Sequence, residues 1–218
     1  MSGKIIFISL RLLITAVVQV IGANDPIVAN HRVEKDTADR ASHPKRYVPM
    51  ARRIHIIGST GSGKTYVACL LSRRLSIPTF DLDDLFWDRS ASAYGVRATG
   101  DVRDSKLAEI VNGDAWIIEG VYHLWVGRSF DRAEVILALT PSVWVRDARV
   151  IRRFIKRKLG LVPSKRESLR DLWQLLQWNH NYDHDNYPRA MAFIRERNRA
   201  AVECKSLQDV LRAVSDGT

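Results

Sequence analysis

Short apolar runs alternate with helical patterns along the chain from about residue 50 onward. Five of these runs predict strands, and they lie at 54–57, 79–81, 116–120, 133–139 and 200–204. Between the runs, apolar residues recur every three or four positions, which is typical of helices that bury one face. This alternation predicts an α/β fold with a five-stranded parallel sheet and helices on both faces.

The helical patterns differ in composition. A helix is predicted to open at Lys64 and Thr65, and further helices are predicted at 105–112, 143–158, 172–178 and 207–214. The tryptophans and leucines of 172–178 form a stripe that we interpret as core. Residues 88–104 predict a mobile loop, and residues 160–170 a short basic lid. No pattern assigns residues 179–188.

The first 49 residues differ from the rest of the chain. Residues 5–23 are mostly apolar, whereas residues 24–49 are polar and lack periodicity. The apolar stretch fits a membrane or surface anchor in length, although Arg11 interrupts it, and it also fits a cleaved signal peptide. We favour a third interpretation, a dispensable extension without stable membrane association, because Met50 directly precedes the first strand. Residues 50–218 would then form the working domain.

Positive charge is concentrated in one segment. The chain carries a formal net charge of +10. Within residues 146–170, only Asp147 and Glu167 oppose the basic residues, which are Arg146, Arg149, Arg152, Arg153, Lys156, Arg157, Lys158, Lys165, Arg166 and Arg170. This segment indicates a polyanionic ligand, and nucleic acid is one candidate. A solvated basic helix face is the alternative interpretation.

The two cysteines do not form a metal or redox motif. Cys69 and Cys204 lie far apart in the chain, without C-x-x-C spacing. A disulfide between them is the alternative interpretation, but we expect both to be buried free thiols of a cytoplasmic protein.

One motif follows the first predicted strand without a mismatch to G-x-x-x-x-G-K-[ST]. Its glycines allow successive backbone N–H groups to converge on phosphate oxygens, and the helix that follows adds its positive dipole end. In such a loop the lysine reaches the β- and γ-phosphates of ATP, and the threonine hydroxyl binds Mg²⁺. A chance Gly/Ser turn is the alternative, but the flanking strand and helix oppose it. The predicted ATP-binding residues are Gly58, Ser59, Thr60, Gly61, Ser62, Gly63, Lys64 and Thr65.

Acidic residues end the second and third predicted strands. Asp81 and Asp83 follow the second strand, and Glu119 closes the third. The carboxyl ends of parallel strands face the ligand crevice, so these acids are placed for chemistry. We predict Asp81 as a second magnesium ligand and Asp83 as a catalytic residue that positions an acceptor. We predict Glu119 as a catalytic residue that orients the metal's water shell or the nucleophile. A helix N-terminus would also favour Asp81 and Asp83, and Glu119 could instead face solvent.

Two arginines of the basic helix complete the predicted catalytic set. Arg149 and Arg153 are four residues apart and therefore share one helix face. Guanidinium groups on one face can clamp the oxygens of a transferring phosphoryl group.

Four segments together resemble the nucleoside-monophosphate-kinase group of P-loop kinases. They are GSTGSGKT, FDLDDLFW, WIIEGVYH and VILALTPSVWVRDARVIRR. More narrowly, they resemble bacterial proteins described as adenylate-kinase-like or DNA topology modulation proteins, over roughly residues 51–214. Val121, Tyr122 and His123 stand where adenylate kinases carry Phe-Pro-Arg, so a nucleoside monophosphate is not assured as acceptor.

The resemblance implies a three-layer P-loop NTPase fold with a short basic lid. It also implies a cytoplasmic kinase that uses ATP and Mg²⁺ to phosphorylate a small acceptor. The alternative is a nucleic-acid-binding regulator that uses nucleotide as a switch, with residues 146–170 as its contact surface. No helix-turn-helix pattern or set of zinc ligands supports that alternative.

Overall fold

The structure is a computed structural model that describes residues 50–88, 95–161 and 168–216. The described residues fall into two compact units. One is the short segment 151–161, the second half of a long helix. The other contains 50–88, 95–150 and 168–216, and with them the whole sheet. The predicted extension 1–49 and part of the predicted lid lie outside the described residues.

The sheet has five parallel strands. They are β1 (Arg53–Gly58), β2 (Thr79–Asp81), β3 (Trp116–Gly120), β4 (Val135–Leu139) and β5 (Val202–Cys204). Their order is β2-β3-β1-β4-β5, and every pair is parallel. Strands β2 and β3 lie on one side of β1 within the sheet, and β4 and β5 lie on the other. Because the strand order changes direction at β1, the carboxyl end of β1 lies at the crevice where α/β sheets bind ligands.

Helices occupy the connections between the strands. Within the described residues they are α1 (Lys64–Leu75), α2 (Leu82–Phe86), α3 (Gly100–Asn112), α4 (Gly127–Arg132), α5 (Val143–Lys158), α6 (Leu169–Tyr182), α7 (Asn186–Glu196) and α8 (Leu207–Asp216). No helix in this part of the chain is both long and apolar enough to cross a membrane.

Alternate residues of β1 enter two separate cores. Ile54 and Ile56 pack on one face of the sheet with Leu71 of α1 and Val210 of α8. Ile57 packs on the opposite face, in a core lined by Leu82, Leu107, Phe130 and Ile194 of α2, α3, α4 and α7. A strand buried on both faces reads as a nearly continuous apolar run, which is why β1 was recognisable in the sequence. The predicted three-layer α/β fold is confirmed.

Several predicted boundaries are wrong at their ends. The helix expected to begin at residue 105 begins at Gly100, so residues 100–104 do not belong to a loop. Strands β4 and β5 are each two residues shorter at their start than predicted. Helices α4 and α7 were not predicted, and α7 together with the end of α6 accounts for most of residues 179–188. These helices are short or polar, so their sequence periodicity is weak.

The interpretation of the 172–178 stripe as core is wrong. Trp173 is 57% exposed, and Leu172, Leu175, Leu176 and Trp178 are only partly buried. Helix α6 instead buries Asn179 and Tyr182 near its C-terminal end. A hydrophobic stripe in the sequence shows that one face of a helix is apolar, whereas the tertiary structure decides whether another element packs against that face.

The cysteine prediction is half right. Both thiols are free, and Cys204 is buried, but Cys69 is exposed on α1. Cys69 lies on the side of α1 opposite to the one that packs on the sheet, where Val67, Ala68 and Leu71 are buried.

Candidate functional site

The loop between β1 and α1 has the backbone shape that its glycines predict. Gly61 and Gly63 adopt positive φ angles of 73° and 99°. These left-handed conformations are strained for residues with a side chain, and here they let the chain wrap around the start of α1. Space is also limited at Gly61, because an added Cβ would lie 2.5 Å from the Arg146 carbonyl oxygen. Both the conformation and the packing therefore require glycine at position 61.

Lys64 begins α1 and folds back over the loop. Its Nζ donates a hydrogen bond of 2.9 Å to the Ser59 carbonyl oxygen. The loop thus holds an ammonium group beside the helix N-terminus, where backbone N–H groups and the helix dipole already favour an anion.

Thr65 and Glu119 meet at the crevice, although 54 residues separate them. The Thr65 hydroxyl donates a hydrogen bond of 2.6 Å to Glu119 Oε1. Glu119 is only 4% exposed, and this burial raises the pKa of its carboxyl, while the Thr65 hydrogen bond and the charge of Lys64 act in the opposite direction. The solvent-facing alternative for Glu119 is therefore excluded.

Asp81 lies beside Glu119 in the sheet, since the two residues are register partners on β2 and β3. Its Oδ1 accepts a 2.9 Å hydrogen bond from the Asp83 backbone N–H, so Asp81 caps α2. Burial raises the pKa of Asp81, and the nearby charges of Asp83 and Asp84 add to this effect. The helix-cap interpretation is correct for this residue, and Asp81 also lies at the crevice edge.

Asp83 is held by a tyrosine that follows β3. The Tyr122 hydroxyl donates a 2.7 Å hydrogen bond to Asp83 Oδ1. Burial raises the pKa of Tyr122, and the Asp83 contact raises it further, so the phenol is a permanent donor in the neutral range. Asp83 itself is exposed, which leaves its other oxygen accessible.

Aromatic rings and two arginines line the same side of the crevice. Phe86 stacks on Tyr122 with ring centroids 4.6 Å apart, and Trp125 packs on Tyr122 at 5.5 Å. Arg97 lies over the Phe86 ring at 5.4 Å, and Arg103 lies over the Trp125 ring at 4.5 Å. Arg103 also pairs with Asp104 at 3.0 Å, and the charge of Arg97 acts on the neighbouring Tyr122 hydroxyl.

Three arginines of the basic helix have different environments. Arg149 Nη1 donates to the carbonyl oxygens of Gly61 and Ser62, at 3.3 Å each. Arg146 is buried and paired with Asp183 at 2.6 Å, so it is not presented to solvent. Arg153 is exposed on the same helix, within the segment 151–161 that forms a unit of its own. Of the predicted pair, Arg149 thus lies against the glycine-rich loop of residues 58–65, which we call the phosphate loop.

His123 has an environment that favours its neutral form. Burial lowers its pKa, and the charge of Arg189 lowers it further. Its ring packs edge-on against Phe193, with centroids 6.2 Å apart.

The structure thus brings Lys64, Thr65, Asp81 and Glu119 to one edge of the sheet, with Asp83 and Arg149 beside them. Sequence reasoning missed Tyr122 as the partner of Asp83, and it did not separate the buried Arg146 from the other basic residues. For Tyr122 a signal existed, because it follows directly on a strand that ends at the crevice. For Arg146, no local signal distinguishes it from its basic neighbours.

Solved structures with a similar backbone include three kinases. A gluconokinase from Sinorhizobium meliloti 1021 shares 19% identity over 76% of this chain and 90% of its own, with a TM-score of 0.43. A shikimate kinase from Acinetobacter baumannii, solved with shikimate, shares 14% identity over 76% of this chain and 89% of its own, with a TM-score of 0.45. A shikimate kinase from Bacteroides thetaiotaomicron shares 16% identity over 76% of this chain and 96% of its own, with a TM-score of 0.43. No protein-family model and no curated protein matches the chain.

Proposed function

We propose that this protein is a kinase that transfers the γ-phosphoryl group of ATP, bound with Mg²⁺, to a small acceptor. The observation that carries the proposal is the Thr65–Glu119 contact beside Lys64, at the mouth of a glycine-rich loop. Phosphoryl transfer needs three parts in one place. They are a loop that binds phosphate, a hydroxyl that binds the metal ion, and a buried acid that orients the water molecules of that ion.

The residues at this edge fit Mg²⁺ in chemistry and number. Thr65 and Glu119 offer oxygen atoms that already lie 2.6 Å apart, and Asp81 lies on the neighbouring strand. Mg²⁺ keeps several waters and takes only one or two protein ligands together with phosphate oxygens. When bound, the ion would neutralise charge on the β- and γ-phosphates.

The chain's own residues would then position the substrates and stabilise the charge of the transferring phosphoryl group. Lys64 would move from the Ser59 carbonyl to the phosphates, and Arg149 would turn from the loop carbonyls to the transferring group. Asp83, fixed by Tyr122, would accept the proton or orient the hydroxyl of the acceptor. Because phosphoryl transfer involves little covalent chemistry by the protein, such placement is the main contribution to the rate.

The acceptor site would lie against Asp83 and the ring stack of Phe86, Tyr122 and Trp125. Arg97, which lies over the Phe86 ring, would attract a negative charge on a bound molecule, so we propose an acceptor with a hydroxyl group and a negative charge. Nucleoside monophosphates and hydroxy acids both have this chemistry, and the resemblance to adenylate-kinase-like proteins favours the former.

A turnover screen tests the proposal. ADP formation from ATP and Mg²⁺ is measured with nucleoside monophosphates, hydroxy acids and neutral sugars as acceptors. We expect one anionic class to raise ADP formation well above the rate without acceptor, and phosphorylated product to appear in equal amount. If no acceptor raises the rate while double-stranded DNA does, the nucleotide-switch alternative replaces the kinase.

A further inference from the structure

The first turns of α5 are tied to the C-terminal end of α6 by charged and polar groups, and on α5 these are the buried Arg146 and Asp147. The Arg146 guanidinium, 1% exposed, donates to both carboxylate oxygens of Asp183, at 2.8 and 2.6 Å. It also donates to the Asn179 carbonyl oxygen at 3.3 Å. The next residue, Asp147, accepts a 2.6 Å hydrogen bond from Asn179 Nδ2 and contacts His180 Nε2 at 2.7 Å.

The same turns of α5 form a wall of the phosphate loop. The Arg146 carbonyl oxygen lies so close to Gly61 that a Cβ there would meet it at 2.5 Å. One turn further along, the Arg149 guanidinium reaches the Gly61 and Ser62 carbonyls. Arg146 therefore has two contacts with different roles. Its backbone carbonyl packs against the phosphate loop, and its side chain forms an ion pair with Asp183 at the end of α6.

We propose that Arg146 and Asp183 are positioning residues for Arg149. Their ion pair holds the α5 backbone against the phosphate loop and so sets where the Arg149 guanidinium lies. A bidentate guanidinium–carboxylate pair fixes both the distance and the orientation of its partners. Breaking the ion pair is also unfavourable for a buried guanidinium, because the group would remain charged without solvation. The inference rests on the proposed function, since it assigns Arg149 to the transferring phosphoryl group.

The proposal predicts a particular kinetic pattern. A guanidinium that acts mainly in the transition state changes kcat more than the KM for ATP. Asp183→Asn keeps the size of the side chain and removes its charge, so α5 loses its fixed position. We expect kcat per folded molecule to fall roughly 10-fold to 100-fold, with a change in the ATP KM of less than about 3-fold. Asp183→Glu, which keeps the carboxylate, should recover most of the lost kcat.

A double-mutant cycle with Arg149 shows whether the effect passes through that residue. In an Arg149→Met background, Asp183→Asn should lower kcat no further, because the group that it positions is already gone. Asp131→Asn is the matched control. It breaks another arginine–carboxylate pair, between Asp131 and Arg197, and Asp131 lines a surface depression together with Arg53 at the amino end of β1. We expect this control to leave kcat unchanged.

The outcomes separate the two claims. A wild-type kcat in Asp183→Asn, or losses that multiply in the double variant, would overturn the positioning role and leave the proposed function standing. A wild-type chain that forms no ADP would overturn the proposed function, and the inference with it. If Asp183→Asn does not fold, Arg146→Lys enters the same cycle with the same expectation, since lysine keeps the charge but loses the planar fork that makes both bonds to Asp183.

Discussion

The Thr65 hydroxyl donates a 2.6 Å hydrogen bond to the buried Glu119 carboxylate, across the carboxyl ends of the central strands. Burial raises the pKa of Glu119, which means that the ionised form costs folding free energy. The acid nevertheless lies beside the hydroxyl that would bind the metal. Such a cost at a crevice is expected where the charge serves function and not stability.

Glu119→Gln should therefore stabilise the chain and inactivate it. Because the folded pKa of Glu119 is above the unfolded one, its ionisation destabilises the fold fully above the folded pKa and not at all below the unfolded pKa. The gain in the free energy of unfolding should be present at neutral pH and vanish as the pH falls through these two values. Chemical denaturation over a pH series measures this gain, and ADP formation measures the loss of activity. A variant that is less stable at neutral pH would contradict the burial argument.

Lys64→Ala should abolish turnover while the fold persists. The substitution removes a positive charge from the transition state and little packing, so we expect a loss of about 10²-fold or more in kcat. Lys106→Ala, at an exposed position of α3, is the control and should keep full activity. Steady-state kinetics and thermal unfolding of both variants test this, and near-normal turnover in Lys64→Ala would show that the loop is not catalytic.

Gly61→Ala should be much more harmful than Gly95→Ala. Both glycines have positive φ, 73° and 82°, but only Gly61 has a backbone atom in the path of a Cβ. We expect Gly95→Ala to cost roughly 1–2 kcal/mol of folding free energy from strain alone. For Gly61→Ala we expect about 3 kcal/mol or more, since strain and overpacking combine there. Equal losses in the two variants, measured by denaturant unfolding, would contradict the close approach of α5 to the loop.

Substitutions in the basic helix should distinguish phosphate clamping from nucleic-acid binding. We expect Arg149→Gln and Arg153→Gln to lower turnover, and Arg149→Lys as well, since lysine keeps the charge but loses the planar fork. Arg152→Gln, at an exposed position beside them, should not affect turnover. The measurements are ADP formation and DNA affinity over a series of salt concentrations. Normal turnover combined with weaker DNA binding and a shallower salt slope would favour the nucleic-acid alternative.

Features carried by consecutive residues could be predicted from the sequence. The strands β1, β3 and β4 were recognisable because parallel strands buried on both faces form short continuous apolar runs. The phosphate loop was recognisable because its glycines, its lysine and its threonine act together within eight positions, Gly58 to Thr65. The position of Asp81 and Glu119 at one edge of the sheet was also predictable, since the chain direction in a parallel sheet determines which edge a strand end reaches.

Features that depend on distant partners were decided only by the tertiary structure. Arg146 and Arg149 are three residues apart in one basic helix, yet one is buried in an ion pair with Asp183 and the other contacts the phosphate loop. Nothing in their local sequence separates them, because the difference comes from what packs against each side of α5. The same reason explains the exposed Trp173. The sequence shows that its helix face is apolar, but it does not show whether another element packs against that face. Local sequence thus determines which elements form, while packing decides which of their side chains face the site.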